Sequence, residues 1–517
     1  MKHTRTFQKA MAVLLTVLLA LSATALGSFA ADDYDLTGAT RFVFSDSGIA
    51  VTAGDYAGYK VSGTALTINA AGTYVVSGAC ANGSIKVKKG TTGVVLVLGG
   101  LTLTSSSETV TENTAPLLCN KSTGVTIVVA AGTTNTLTDS KYNNDELYPA
   151  NTDDDAHGGS AENAVIKTKA GSNVTICGTG TLIVNAYGKT GIKGSADQGE
   201  GTVPTFDETS VLTIKEATIT VTNHVADTDA IKAEATLNIL SGNITVNAID
   251  DGIKSDFVLN IGEQGTAGPT INVAKATEGI EASTVNVYSG NVTVNATDDG
   301  INAANGDIAE RSQDFTYNQY GGYVYINVTN GDGIDSNGSA TLSGGTLEVY
   351  APAQGDGDPI DTEYGCTFSG ATVLAVGHAM MQQSYSGTYV AFRGSGGLLG
   401  GVGSNIVTAG KTISIKDDSG NVIYTAKSAA PRNASYVVFT SSAVQNGTLY
   451  SVYNGESNAV SSTATTSSGN QGGQLGGPGG PGGQRPGQGG IGSNFLNGIR
   501  NFFQRILAFF RSLFGIG

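Results

Sequence analysis

Six acidic residues occupy one fixed place in a recurring turn. Asp229, Asp251, Glu278, Asp299, Asp332 and Asp358 each stand two residues before an isoleucine, in DAI, DGI, EGI, DGI, DGI and DPI. Asp227, Asp250, Asp298 and Asp356 precede them by one or two positions, and Glu234, Asp256, Glu281, Asp335 and Asp361 follow the isoleucine. If successive turns stack as rungs of a parallel sheet, like charges lie about 4.8 Å apart. At an effective dielectric of about 20, each such pair repels by roughly 3.5 kcal/mol. Ca²⁺ relieves this with matching geometry, because hard oxygen ligands on opposite sides of one ion lie about 5 Å apart. No histidine or cysteine joins the column, which argues against zinc. The expected metal ligands are Asp227, Asp229, Asp250, Asp251, Glu278, Asp298, Asp299, Asp332, Asp335, Asp356, Asp358 and Asp361. Two other readings stay open: the acids bond their own backbone as Asx turns, or Lys232 and Lys254, each just after an isoleucine, neutralise part of the column.

The elements that must position these acids are read from a repeat. The segment YSGNVTVNATDDGI at 288–301 closely repeats LSGNITVNAIDDGI at 240–253. Counting on the turn isoleucines Ile192, Ile231, Ile253, Ile280, Ile301, Ile334 and Ile360 gives a shortest unit of about 22 residues, far below the 40–45 of a propeller blade. Short β-branched alternating segments such as TLNIL, NITVNA and YVYINV are separated by Gly, Asn, Asp and Ser. The pattern predicts an all-β parallel β-helix without helices between residue 32 and about 455. Insertions at 139–163, 194–209 and 303–321 break the rhythm and are expected as loops on one face. Tyr142, Tyr148, Tyr317 and Tyr320 cluster in or near them as candidate sugar-binding rings.

Composition bounds the partners. The chain has 517 residues, 73 of them glycine, no tryptophan, and a net charge of −15 although both ends are basic, so the middle is strongly acidic. Such a middle does not seek nucleic acid and attracts cations. The four cysteines, Cys80, Cys119, Cys177 and Cys366, show no metal spacing. They are expected as small buried hydrophobes, although a disulfide is compatible with an exported chain.

Residues 1–30 have the basic, apolar and small-residue regions of an export signal, which predicts secretion. A β-helix over 31–456 is then followed by a Ser/Thr and Gly/Pro/Gln-rich linker over 457–494. Residues 495–517 fit an amphipathic basic helix whose apolar face includes Phe502, Phe503, Ile506, Phe509 and Phe510. That face suits a membrane surface or a protein partner.

The motifs GTYVVSG at 72–78, VVLVLGGLTLTSS at 94–106, IVVAAGTTNTLTDS at 127–140 and GTGTLIVNA at 178–186 accompany the repeated DDGI and SGNITVNA units. Together they resemble a family of secreted, mainly clostridial, carbohydrate-binding β-helix proteins. The resemblance implies a right-handed parallel β-helix similar to pectate lyases, calcium sites along the coils, and binding of plant cell-wall polysaccharide such as polygalacturonate or cellulose. Two further readings are carried forward. One is a calcium-dependent polysaccharide lyase of the pectate type, for which Lys232 and Lys254 are the candidate bases. The other is a structural surface adhesin.

Overall fold

The computed structural model describes residues 34–106, 115–147, 161–197, 206–305, 315–355, 357–378, 384–395 and 403–468. They lie in one compact unit that ends at Gln471. The expected signal segment, most of the linker and the C-terminal helix with its phenylalanines lie outside the described residues.

Among the described residues every regular element is a strand. Most strands pair in parallel with a counterpart one circuit later, and a circuit usually holds three strands. One ladder runs through Ala164–Thr168, Thr190–Gly194, Ile231–Ala233, Ile253–Ile261, Ile280–Val287, Ile301–Ala303, Ile334–Ser336 and Asp361–Thr362. A second runs through Asn173–Cys177, Val211–Ile214 and Thr236–Ile239 to Thr316–Gln319 and Ser339–Leu342. A third joins Thr181–Ala186, Thr218–Asn223, Asn243–Asn247, Thr270–Ala276, Asn291–Ala296, Tyr323–Val328 and Thr346–Tyr350. Alternation sends every second side chain inward, and the turn isoleucines from Ile192 to Ile360 are all fully buried. Each contributes roughly 1.5–3 kcal/mol by leaving water.

Glycine in the DGI turn answers to crowding between rungs. A Cβ on Gly300 would meet Ile326 Cγ2 at 2.2 Å and the Gly333 carbonyl at 2.5 Å, and one on Gly333 would meet Val349 Cγ1 at 2.0 Å. On the outward side of the second ladder, Asn238, Asn260, Asn286 and Asn318 form a chain of side-chain amides. From Asn260 on, each Nδ2 donates to the Oδ1 of the asparagine one rung before, at 2.9, 3.0 and 3.1 Å.

The ends depart from the parallel rule. Thr40–Ser45 pairs antiparallel with Gly48–Thr52, and Thr372–Gly377 pairs antiparallel with Tyr436–Thr440. A four-stranded antiparallel sheet then forms from Ile413–Lys416, Val422–Thr425, Leu449–Asn454 and Ser457–Thr463. It covers its own apolar cluster, which includes Phe392, Phe439 and Val452. The expected linker start at 457 therefore moves beyond Ser468, because Thr465–Ser468 also pairs, with Tyr385–Arg393. Serine and threonine alternation reads as linker by composition but as edge strand once a partner is beside it. All four cysteines are buried and free of disulfides.

Candidate metal and carbohydrate site

The acid column exists as a stack. In five successive turns the amide following the acid donates to the carbonyl of the next turn's acid: Ala230 to Asp251, Gly252 to Glu278, Gly279 to Asp299, Gly300 to Asp332 and Gly333 to Asp358, all at 2.8–3.0 Å. Beside it, the residue after each turn isoleucine forms an outward row. In register this row reads Lys167, Lys193, Lys232, Lys254, Glu281, Asn302, Asp335 and Asp361. Its sign changes between Lys254 and Glu281.

On the lysine side Glu234, Asp229, Asp256, Asp251 and Glu281 each have an ammonium counter-ion. Lys193 Nζ lies 2.9 Å from Glu234, Lys232 lies 3.3 Å from Asp256 and 3.9 Å from Asp229, and Lys254 lies 2.7 Å from Asp251 and also bonds Glu281. Burial alone would lower the pKa of Lys254, but Asp251 and Glu281 outweigh it and hold the ammonium above the ordinary lysine range. Lys232 is likewise raised against its burial by Asp229 and Asp256. Both lysines, the candidate bases of the lyase reading, are therefore held protonated. They are the cations of buried ion pairs.

On the other side no lysine or arginine stands in the row. Asp332, Asp335 and Asp361 can each bring a carboxylate oxygen within 4.8 Å of the other two. Burial, then the charge of Asp335, pushes Asp332 up to about 9; burial, then Asp361, pushes Asp335 up to about 7. Asp299 is also well above the carboxylate range through burial and then Asp335 and Asp332. The Oδ1 of Asn302, one rung before Asp335, is buried without a hydrogen-bond partner, while its Nδ2 donates to Glu278 at 3.0 Å. A Cβ on Gly331 would strike Oδ1 of both Asp298 and Asp299 at 2.4 Å, so backbone closes on these carboxylates where a side chain could not. Carboxylate oxygens with one amide carbonyl oxygen form a hard donor set of the kind Ca²⁺ prefers, and they fit it.

The remaining expected ligands divide. Asp229, Asp250 and Asp251 form a second close group and Asp251, Glu278 and Glu281 a third; in them Asp229 pairs with Lys232, and Asp251 and Glu281 with Lys254. Asp358 is buried, its amide bonded to Asp332 Oδ1. Asp227 is exposed and Asp298 largely so, while Asp356 lies outside the described residues. Of the candidate sugar rings, Tyr320 is 47% exposed and stacks on Tyr288, and Tyr142 is half-buried. Tyr148 lies outside the described residues. Tyr317 is corrected: it sits on the strand Thr316–Gln319, points inward and is fully buried, its hydroxyl donating to Gln319.

Lys167 escaped the sequence reading. It is buried, its Nζ lies 2.7 Å from Ser195 Oγ, and no carboxylate lies within ion-pair distance among the described residues. Burial, then Lys193 on the next rung, lowers its pKa to about 7, opposed by Glu234 and Glu162, with Lys169 adding a further lowering. It lies six rungs from Asp335, about 29 Å at 4.8 Å per rung. One uronate unit could not reach both, so the lysine with a base-like pKa is remote from the lysine-free carboxylates.

A solved structure of the polysaccharide lyase-like protein from C. thermocellum, a gadolinium derivative, is 22% identical with a TM-score of 0.34, covering 63% of this chain and 96% of that one. No curated protein matches. The family model described as carbohydrate-binding domain-containing protein matches residues 62–349, which hold the second ladder, most of the first and third, and the acid stack as far as Asp335, with Asp358 and Asp361 beyond the match. By that match, over more than half its length, the chain belongs to the carbohydrate-binding domain-containing protein family.

Proposed function

We propose that this is a secreted, calcium-dependent binder of acidic plant cell-wall polysaccharide, built on a right-handed parallel β-helix. The observation that carries it is the lysine-free carboxylate group on a chain of a carbohydrate-binding family. Asp332, Asp335 and Asp361, with the Asn302 side-chain oxygen and Asp299 beside them, would hold Ca²⁺. The bound ion supplies a positive centre able to accept a uronate carboxylate as a further oxygen ligand. The protein's own residues fix the carboxylates on adjacent rungs and keep lysine away from them. Polyuronide is favoured over cellulose, because a neutral glucan offers calcium no anionic ligand and the chain has no tryptophan for a flat platform.

The test is retention of the mature chain on insoluble polygalacturonate with Ca²⁺ and with chelator, while ultraviolet absorbance follows unsaturated products. Retention lost on chelation and without product is the expected result. Product formation would make the protein a lyase. Absence of retention in both conditions would leave a surface adhesin and overturn the proposal.

A further inference from the structure

We infer that the turn edge formed by Tyr187, His224 and Ile249 is the pyranose-stacking subsite of this protein. The inference rests on the carbohydrate-binding reading above and adds the place where the sugar chain lies. Ala186 pairs with Asn223, so Tyr187 and His224 leave the third ladder on neighbouring rungs. Thr222 pairs with Asn247, so Ile249 takes the same place one rung later. The two rings are stacked, 4.2 Å between centroids and 8° from parallel. Both are exposed, Tyr187 by 46%, and Ile249 is 39% exposed.

Two features separate this edge from scattered surface apolar residues. First, the Tyr187 backbone is anchored. The carboxylate of Asp139, itself buried, accepts from the amides of Tyr187 at 2.7 Å and Gly188 at 3.1 Å, and is held in turn by Asn143 Nδ2 at 3.0 Å. A ring fixed in this way loses little entropy when a ligand covers it. Second, the edge continues along the solenoid as Thr277, Thr297 and Thr329, and an acid or amide follows on each rung: Asp250, Glu278, Asp298 and Asn330. Apolar ring faces suit the C–H side of a pyranose. The hydroxyls, carboxylates and amide beside them suit its hydroxyl groups. A sugar chain is the occupant that presents both along one line. The other stacked pair, Tyr288 and Tyr320, follows the second ladder and has no acid stack beside it.

The experiment compares the mature full-length chain with Tyr187→Ala, Tyr187→Phe, His224→Ala and Tyr320→Ala for retention on insoluble polygalacturonate and cellulose in Ca²⁺. Thermal midpoints with and without Ca²⁺ check each fold. Tyr187→Ala should weaken retention about tenfold, the loss expected of a central contact. His224→Ala should weaken it by a smaller factor, and Tyr187→Phe and Tyr320→Ala should bind as wild type with all midpoints kept. Wild-type retention by both Tyr187→Ala and His224→Ala overturns the inference and leaves the carbohydrate-binding reading standing, as does a loss confined to Tyr320→Ala. If the wild-type chain binds neither polymer, the proposed function fails first and this inference with it.

Discussion

One outward row of side chains solves a single electrostatic problem in two ways. From Lys193 to Lys254 the buried acids face ammonium groups supplied by the chain; from Asn302 to Asp361 they face each other. The backbone is the same in both regions, with isoleucines in register and turn amides bonded to the next turn's acid. The difference therefore lies in one outward position per rung. A chain that needed only rigidity could have placed lysine in every rung. Under the proposed function, the region without lysine takes its compensating charge from a cation in solution.

The largest effect should come from making the first region resemble the second. Lys254→Met leaves Asp251 and Glu281 buried without their ammonium, at about 3–5 kcal/mol of stability, read by urea unfolding. Added Ca²⁺ should restore part of that loss. If calcium does nothing for this variant, the carboxylates of the two regions are not equivalent and the comparison breaks.

Next in size is the metal itself. A ligand at a hundred times its Kd stabilises the native state by about 2.7 kcal/mol. The thermal midpoint should therefore rise with Ca²⁺ and fall with chelator. Asp335→Asn should abolish most of the rise by removing a donor charge. Asn302→Lys should abolish it by bringing to the second region the cation the first already has. Both variants make the site one charge more positive, the first by removing a carboxylate and the second by adding a cation with every carboxylate kept, so a shared loss of calcium response points to the charge of the site.

Lys167 sharpens the comparison at its other end, where a lysine stands without a carboxylate. Its pKa falls from the ordinary 10.5 to about 7 on folding. Between those values the unfolded chain holds a proton that the folded chain lacks, so stability rises with pH by up to about 1.4 kcal/mol per unit. Below about pH 7 both states are protonated and the dependence ends. Lys167→Met should flatten this part of the stability profile relative to wild type, as measured by unfolding at pH 7, 8 and 9.

Which of these residues could be read from sequence follows from what repeats. The acids and their isoleucines were legible because the turn admits few residue types and recurs at short intervals. The parallel strand order followed from that rhythm, and the family from the resemblance of the motifs around it. Lys167 was not, because the insertion at 139–163 separates it from the isoleucine count and its neighbours on the row come from other circuits. Tyr187 and His224 lie 37 residues apart and meet only through strand register. Tyr317 was misplaced for the opposite reason. TYNQ inside a polar insertion looks like loop, yet alternation turns its tyrosine to the core once the strand pairs with Thr284–Val287.

The smallest expected effect tests whether charge is truly the variable. The amide chain Asn238, Asn260, Asn286 and Asn318 crosses the point where the row changes sign, and it carries no charge. Asn286→Ala removes one donated and one accepted bond from a partly exposed ladder, so it should cost about 1 kcal/mol in all, at roughly 0.5 kcal/mol for each, the low end of the net worth of such a bond. Its neighbours retain access to water, which keeps the cost small. That cost should be the same with Ca²⁺ or chelator and at pH 7 or 9, measured by urea unfolding. A cost that changed with calcium would mean that the two regions are coupled through the backbone, and the contrast between lysine and no lysine would no longer be local to the rungs where it is seen.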